Sequence, residues 1–379
     1  MAKPTYNLAE STTRSLSVGE LLDLADMTAL RALSLDYGPL EGSAALRGIV
    51  GLHCGVDPAH VLVTQGATVG LALVAAALGR RGGEIVLATP CFSPMREGCS
   101  VAGSKLRHVD LHFDEGYRLG LGRVAEKLGA STRLVGLASP HNPSGVRIGA
   151  EAIRSLLALM AERAPDAFLL VDEAYREAAY GDEVAPASVA GFGPRVITCG
   201  SLSKAHGAPG LRVGWLTVPD TALRRHLTVA KANATGPVSS LHEALAVALL
   251  ARREAVLAPR ARALGHALET LAAWRDREAH RLDWVRPDAG ALCCLRLRRE
   301  RFGDAAVAGF WAALPGHDVA LAPGGWFGEE ERVFRLGFGH IPVEQLPEAL
   351  AAVSRALDEV ASTHPAAGPR PSTTATAAA

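Results

Sequence analysis

Residues 201–212 read SLSKAHGAPGLR and lie between two apolar runs, 196–198 and 213–217, that are typical of strands. The glycines and the proline predict a tight turn at a strand end. Such a turn can hold the amine of Lys204 partly away from water, which favours its action as a nucleophile. Ser201 and Arg212 add a hydroxyl and a guanidinium, a pair that suits a phosphate. The stretch predicts a Schiff-base lysine beside a phosphate site, and a solvated loop lysine is the alternative.

The order Ser201-x-x-Lys204, followed by Gly207, Gly210 and Arg212, resembles the cofactor-lysine motif of the class I/II aminotransferases. The resemblance implies that Lys204 is catalytic and binds pyridoxal 5'-phosphate (PLP), with Ser201 and Arg212 holding the cofactor phosphate. It also implies an α/β protein with the fold of the fold type I PLP-dependent transferases. That fold has a large domain on a doubly wound, mainly parallel sheet and a smaller α/β domain.

Length and composition agree with a two-domain enzyme. A chain of 379 residues is too long for a single small hydrophobic core. Its 39 basic residues balance 39 acidic ones, so the net charge does not indicate nucleic acid or a membrane surface as a partner. No apolar stretch reaches the roughly 20 residues that span a bilayer. The six cysteines lack metal-site spacing and residues 1–10 lack an apolar signal core, which predicts a cytoplasmic protein with reduced thiols and no metal site.

A second phosphate-binding segment is predicted near residue 66. The run 61–64 is strand-like, and an alanine-rich helical pattern begins after Gly66, Ala67 and Thr68. A turn between a strand and a helix presents free backbone N–H groups and the positive end of the helix dipole, which suits a phosphate. We therefore expect these three residues to contact the cofactor phosphate, although Thr68 could merely cap the helix.

Four more cofactor contacts are predicted at strand ends. Asp172 directly follows the apolar run Phe168–Val171 and would be costly to bury without a nearby cation. The resemblance implies that Asp172 pairs with the pyridine nitrogen, that Asn142 and Tyr175 hydrogen-bond the phenolic oxygen, and that Phe92 stacks on the ring. A turn-capping role for Asp172 and core packing for Phe92 are the alternatives. Ligands of doubly wound sheets bind at these strand ends.

Two residues outside this group carry the expected substrate and partner contacts. Arg335 lies in the apolar run 333–338 and needs an anionic partner. The resemblance implies that Arg335 binds the α-carboxylate of an amino-acid substrate, and that Asn142 contacts the substrate as well. Tyr37 begins the turn Tyr37–Gly42, and the matching tyrosine of the family reaches the phosphate of the partner subunit's cofactor. We therefore expect a homodimer, with simple packing of Tyr37 beside the turn as the alternative.

The predicted organisation has four parts. An N-terminal arm covers residues 1–34 and includes a short helical pattern from Val18 to Leu33; its polar residues are either substrate contacts or part of a solvated terminus. A large PLP-binding domain covers 35–232, and a small C-terminal domain with the interdomain helix covers 233–361. Residues 362–379, rich in Ala, Pro, Thr and Ser, are expected to be disordered.

The predicted function is PLP-dependent chemistry at the α-carbon of an amino acid, with Lys204 removing the α-proton. Amino transfer, the commonest outcome in the family, is the first expectation. The segments 10–13, 18–21, 140–145 and 322–328 more loosely resemble the capreomycidine-synthase-like branch of natural-product, and so antibiotic, biosynthesis. That branch implies β- or γ-elimination or replacement, as in C–S lyases, through a quinonoid intermediate. No second arginine is placed for a dicarboxylate, and the neutral charge disfavours a DNA-binding regulator of this fold.

Overall fold

The fold alternates strands and helices through its centre. The computed structural model describes residues 4–79, 83–101, 103–183 and 185–363. The first elements are β1 (Tyr6–Asn7), α1 (Val18–Leu22), α2 (Met27–Arg31) and α3 (Ala44–Cys54). The central elements are β2 (Val61–Thr64), α4 (Ala67–Leu78), β3 (Glu84–Thr89), α5 (Ser93–Val101), β4 (Lys105–Asp110), α6 (Leu121–Lys127), β5 (Thr132–Ala138), α7 (Ala150–Arg163), β6 (Phe168–Asp172), β7 (Val196–Ser201), β8 (Gly214–Thr217) and α8 (Thr221–Ala234). The last elements are α9 (Ser240–Ala251), α10 (Arg253–Arg277), β9 (Leu282–Val285), β10 (Leu292–Leu297), α11 (Asp304–Ala313), β11 (Val319–Ala320), β12 (Ala322–Pro323), β13 (Val333–Gly337) and α12 (Leu346–Thr363).

The central sheet has seven strands in the order β2-β8-β7-β6-β5-β3-β4. Strands β3 to β7 pair in parallel, whereas β8 is antiparallel to both β2 and β7. Parallel neighbours need long crossovers, and helices such as α7 between β5 and β6 supply them. The predicted doubly wound, mainly parallel sheet is confirmed.

Both faces of this sheet are covered. In β5, Leu134 packs into one apolar cluster with residues of α4, while its neighbour Val135 packs into another with residues of α7. Successive side chains of a strand point to opposite faces, so a sheet buried on both sides has nearly continuous apolar strands. This burial fixes the strand ends rigidly, and the turns that follow them form the site.

The N-terminal arm packs into the core of the smaller sheet, whose order is β12-β13-β10-β9. Strand β1 pairs in parallel with β11, and Leu8 is fully buried among residues that include Phe334 and Leu336. The backbone N–H of Gly337 donates to the carbonyl of Leu8 at 2.7 Å. A solvated terminus is therefore wrong for this part of the arm, because its side chains from Ser11 to Thr13 are buried as well.

Several predicted element boundaries shift. The pattern from Val18 to Leu33 forms two short helices, α1 and α2, because Asp26 accepts the N–H groups of Thr28 and Ala29 and starts a new helix. Helix α8 runs to Ala234, two residues into the predicted small domain.

Helix α12 runs to Thr363, two residues into the predicted disordered tail. The rest of that tail, residues 364–379, lies outside the described residues, and the domain limits stay a prediction. None of the helices within the described ranges has both the length and the apolar character needed to cross a membrane.

Candidate active site

A cavity of about 170 Å³ opens at the C-terminal ends of β5, β6 and β7. Two larger cavities, of about 470 and 560 Å³, lie elsewhere, but only the smaller one contains both a lysine and a buried aspartate. The side chains and backbone that line it come from the arm and from the strand-end turns: Glu10, Thr12, Ala67, Thr68, Phe92, Asn142, Asp172, Ala174, Tyr175, Ser201, Ser203, Lys204, Pro209 and Arg212. The structure thus brings together most of the predicted cofactor residues.

Lys204 lies in the turn after β7, and its amine contacts the arm. Its Nζ donates a hydrogen bond to the hydroxyl of Ser11 at 3.0 Å and lies 5.3 Å from the centre of the Tyr175 ring. The Ser11 hydroxyl is also 2.8 Å from the Tyr175 hydroxyl. Gly207, at φ +64°, closes the turn where any Cβ would come within 2.3 Å of the Arg14 carbonyl.

Asp172 is the last residue of β6 and is only 7% exposed. Burial raises the pKa of this carboxyl to about 6, while the N–H of Ala174, 3.0 Å away, and the charge of Lys204 act in the opposite direction. No cationic side chain in the described part of the chain forms an ion pair with it. The expected nearby cation is therefore not supplied by the chain at ion-pair distance, and a protonated ring nitrogen would supply it.

The opposite end of the cavity suits an anion. Helix α4 begins at Ala67, directly after Gly66 at φ +79°, and no side chain caps its first N–H groups, so the alternative capping role of Thr68 is not observed. The Nη2 of Arg212 donates to the carbonyl of Gln65 at 3.5 Å, and a Cβ on Gly66 would lie 2.6 Å from that nitrogen. Ser201, at the end of β7, bonds Ser203 at 2.8 Å. Free N–H groups, a guanidinium and two hydroxyls thus converge here.

These features fit PLP, which carries a phosphate, a ring nitrogen and an aldehyde. The anion end at α4, the unpaired carboxylate of Asp172 and the amine of Lys204 offer one complementary group for each. Phe92 and Ala174 provide apolar lining between them. The donor set therefore fits the cofactor.

Arg335 lies behind Asn142 rather than in the cavity wall. Its Nη1 donates to Oδ1 of Asn142 at 3.0 Å, its Nη2 donates to the carbonyl of Ala9 at 2.6 Å, and its guanidinium carbon is 4.7 Å from the centre of the Phe327 ring. The side chain is buried, which lowers its pKa, and no carboxylate in the described ranges pairs with it. Among the described side chains, the charge of Glu10 acts to raise the pKa of Arg335, but not at ion-pair distance, so the expected partner remains the carboxylate of the substrate. Because Asn142 uses its carbonyl on Arg335, its amide N–H groups remain available to the cavity.

The turn that carries Asn142 is held by a neutral histidine. Burial lowers the pKa of His141 to about 4. Its Nε2–H donates to the carbonyl of Pro90 at 2.8 Å, so its Nδ1 accepts the hydroxyl of Ser144 at 2.7 Å. Both ring nitrogens are satisfied, which indicates a structural role in shaping the turn.

Tyr37 does not join this cavity. Its side chain is 95% exposed, and the nearby Leu35 and Leu40 are exposed too. Gly38 and Pro39, which follow Tyr37, line the cavity of about 560 Å³ between the arm and α9, together with side chains such as Leu30 and Val247. Within one chain, Tyr37 therefore contributes nothing to the site that the other residues form.

The chain belongs to the aminotransferase class I and II family, whose sequence model matches residues 20–353. It is a PLP-dependent enzyme of fold type I. The matched range includes the residues from α4 to β13 that surround the cavity.

Several relatives and solved structures are similar over most of the chain. Capreomycidine synthase of Streptomyces vinaceus is 32% identical over 373 residues, covering 93% of this chain and 89% of the relative. Arginine–pyruvate transaminase of Pseudomonas aeruginosa is 30% identical over 315 residues, covering 80% of this chain and 78% of the relative. The PLP-dependent cyclase OrfR superposes with a TM-score of 0.84 at 27% identity over 93% of each chain. A PLP-dependent aminotransferase of Streptococcus suis superposes with a TM-score of 0.85 at 23% identity over 94% of each chain and supports the fold.

The contribution of the arm was not foreseen in detail. Sequence reasoning placed substrate contacts on the arm in general, but not the contact of Ser11 with Lys204 or the place of Glu10 in the cavity. The only available signal was a cluster of polar residues, Glu10–Thr13, in a segment that precedes the first helix.

Proposed function

We propose that this enzyme acts on an amino acid with a cationic side chain, and that amino transfer is its reaction. The observation that carries the substrate class is Glu10. Glu10 is one of the residues that line the cavity, and the one hydrogen bond of its carboxylate among the described residues comes from the adjacent N–H of Ser11, at 3.1 Å. It forms no ion pair with any described residue.

The other charges near the cavity already have roles in the proposal. Lys204 takes the cofactor aldehyde, Arg212 its phosphate, Asp172 its ring nitrogen and Arg335 the donor's α-carboxylate. Glu10 is then the remaining charge, and it attracts a guanidinium or ammonium while repelling an acidic side chain. The names of two relatives, capreomycidine synthase and arginine–pyruvate transaminase, support an arginine-like donor.

The chain's residues divide the work as follows. When bound, PLP withdraws electrons from the α-carbon of the donor, which makes the α-proton acidic. Arg335 and the amide of Asn142 orient the donor, and the free amine of Lys204 takes the α-proton. Phe92 and Tyr175 hold the ring in place, while Gly66, Ala67, Thr68 and Ser201 bind the phosphate with Arg212.

The test compares arginine with citrulline, which replaces the guanidinium with a neutral group of similar shape. With pyruvate as acceptor, we expect kcat/KM for arginine to exceed that for citrulline, and Glu10→Gln to lower the arginine value by about 30- to 100-fold with little effect on citrulline. Glu20→Gln, on the same arm but outside this cavity, is the matched control. Equal losses for both donors would refute the role of Glu10.

Elimination or replacement is the second candidate, favoured by the similarity to capreomycidine synthase over 93% of this chain. The two reactions differ when no keto acid is present. A transaminase converts about one equivalent of donor per site and stops, whereas an elimination or cyclisation enzyme continues to turn over. Mass spectrometry of the donor and its products after long incubation therefore separates them.

We further propose a cytoplasmic homodimer in which Tyr37 completes the partner's site. Six buried, unpaired cysteines suit a reducing compartment, and the exposure of Tyr37 beside an apolar cavity suits a subunit contact. Co-expression of Lys204→Ala with Tyr37→Ala tests this. A hybrid dimer regains one intact site only if Tyr37 acts across the interface, so it should be more active per intact Lys204 than the Tyr37→Ala homodimer.

A further inference from the structure

We propose that Ser11 is a catalytic residue that holds the free amine of Lys204 in position to take the α-proton. Its hydroxyl contacts the reacting nitrogen at 3.0 Å and the hydroxyl of Tyr175 at 2.8 Å, and it is 97% shielded from solvent, with 3% exposed. A buried hydroxyl between an amine and a phenol lies in a chain of hydrogen bonds that water does not interrupt.

The arm is fastened on both sides of Ser11. Before it, the carbonyl of Ala9 accepts from Arg335 at 2.6 Å. After it, the hydroxyl of Thr13 donates to the carbonyl of Lys204 at 2.8 Å and accepts from Nη1 of Arg260 at 2.7 Å. Ser11 is therefore fixed relative to the turn that carries Lys204.

The proton count shows what this contact does. A neutral lysine amine has two N–H bonds and one lone pair. With one N–H donated to Ser11, the lone pair is directed away from the arm, and it accepts the α-proton as the C–H bond breaks. The resulting ammonium keeps its hydrogen bond to Ser11, which is then charge-assisted and stronger. Ser11 thus both orients the base and stabilises its protonated form, while its hydroxyl also shares a hydrogen bond with the hydroxyl of Tyr175.

The first experiment needs neither cofactor nor substrate, so its outcome is independent of the proposed donor class. The full-length protein without cofactor is treated with trace acetic anhydride at pH 8, and acetylation of Lys204 is measured by mass spectrometry relative to the exposed Lys105. Ser11→Ala should raise Lys204 labelling about 3- to 10-fold, because the amine loses the hydrogen bond that holds it against the arm and becomes more available to the reagent. Ser11→Thr, which keeps a hydroxyl, should restore the wild-type value.

The second experiment uses the loaded enzyme. Ser11→Ala should lower kcat about 10-fold with less than a threefold change in KM, and the kinetic isotope effect with α-deuterated donor should rise because proton removal becomes slower. Ser188→Ala is the matched control: Ser188 is also a buried serine, but it lies outside the cavity and its hydroxyl donates to Oε2 of Glu173 at 2.6 Å. Its Lys204 labelling should equal that of the wild type. Unchanged labelling and an unchanged isotope effect in Ser11→Ala would overturn the proposal, and so would equal labelling changes in both variants.

Discussion

The two halves of the active-site cavity are built differently. The sheet half consists of turns that follow buried parallel strands, and it supplies Asn142, Asp172 and Lys204. The arm half follows a strand of only two residues, β1, and is held by individual hydrogen bonds such as that from Arg335 to Ala9. Groups suited to the cofactor therefore lie on the rigid half, while Glu10 and Ser11, proposed here to face the substrate and the base, lie on the half that is held by hydrogen bonds to other elements.

The sharpest test of this division is Lys204→Ala. Because the variant removes both the cofactor attachment and the base, we expect activity to fall at least about 10⁴-fold and borohydride to stop fixing the cofactor to the chain. Lys105→Ala is the control. If substantial activity survives in Lys204→Ala, the sheet half is not where the chemistry occurs.

Arg335 connects the two halves, and its removal should have the next largest effect. Arg335→Gln should raise the donor KM about 10- to 100-fold, since it loses a charge-assisted contact to the α-carboxylate that persists in ground and transition states. Arg335→Lys should recover only part of the loss, because lysine lacks the fork.

The matched control for Arg335 is Arg332→Lys. Arg332 is also buried, but it pairs with Asp304 at 3.0 Å, away from the cavity. Its donor KM should stay within about twofold of the wild type. An unchanged KM in Arg335→Gln would place the carboxylate site elsewhere.

Asp172→Asn should stabilise the cofactor-free protein while abolishing activity. In the wild type, burial raises the pKa of the Asp172 carboxyl from 3.8 to about 6, so the folded protein binds the proton of this carboxyl more tightly than the unfolded chain does. Stability from this group is full below about pH 4 and falls as the pH rises to about 6. Above about pH 6, the free energy of unfolding of the Asp172→Asn variant should exceed that of the wild type by up to about 3 kcal/mol.

Urea unfolding of the cofactor-free Asp172→Asn variant and wild type between pH 4 and 8 measures this gain, which should grow with pH and then level off. A variant less stable than wild type at pH 8 would mean that the carboxylate has a stabilising partner in the protein itself. In that case the Asp172 carboxylate would not depend on a cation supplied by the cofactor.

The smallest effect is expected on the arm, where Thr13→Val should destabilise rather than stabilise. Loss of the hydroxyl removes the bonds to Lys204 and Arg260, which should cost about 1–2 kcal/mol and speed amide hydrogen exchange around residues 8–16. Exchange in β6 and β7 should not change. Equal acceleration in both regions would show that the arm and the sheet unfold as one unit.

Site groups that lie close together in sequence could be predicted, because the geometry of a strand-end turn is set by a few consecutive residues. The stretch around Lys204, the turn at Gly66 and the aspartate after an apolar run each carry a pattern that implies its own geometry. The antiparallel direction of β8 was not predictable from such patterns, since a short apolar strand reads the same in either direction. The charged partners predicted for Asp172 and Arg335, the cofactor's ring nitrogen and the substrate's carboxylate, stay predictions, and no described side chain forms an ion pair with either residue.

The sequence by itself determined the fold type and the cofactor, and it predicted most of the residues that line the cavity, since each follows from short motifs whose chemistry depends on neighbouring residues. Only the tertiary structure decided which residues of the N-terminal arm lie opposite the cofactor residues. Ser11 meets Lys204 across 193 positions, and Ala9 meets Arg335 across 326. Contacts of this kind arise from packing the arm between two sheets, and no local pattern encodes the distance between the ends of a chain. The residues proposed to select the donor and to direct the base are therefore visible only in the folded molecule.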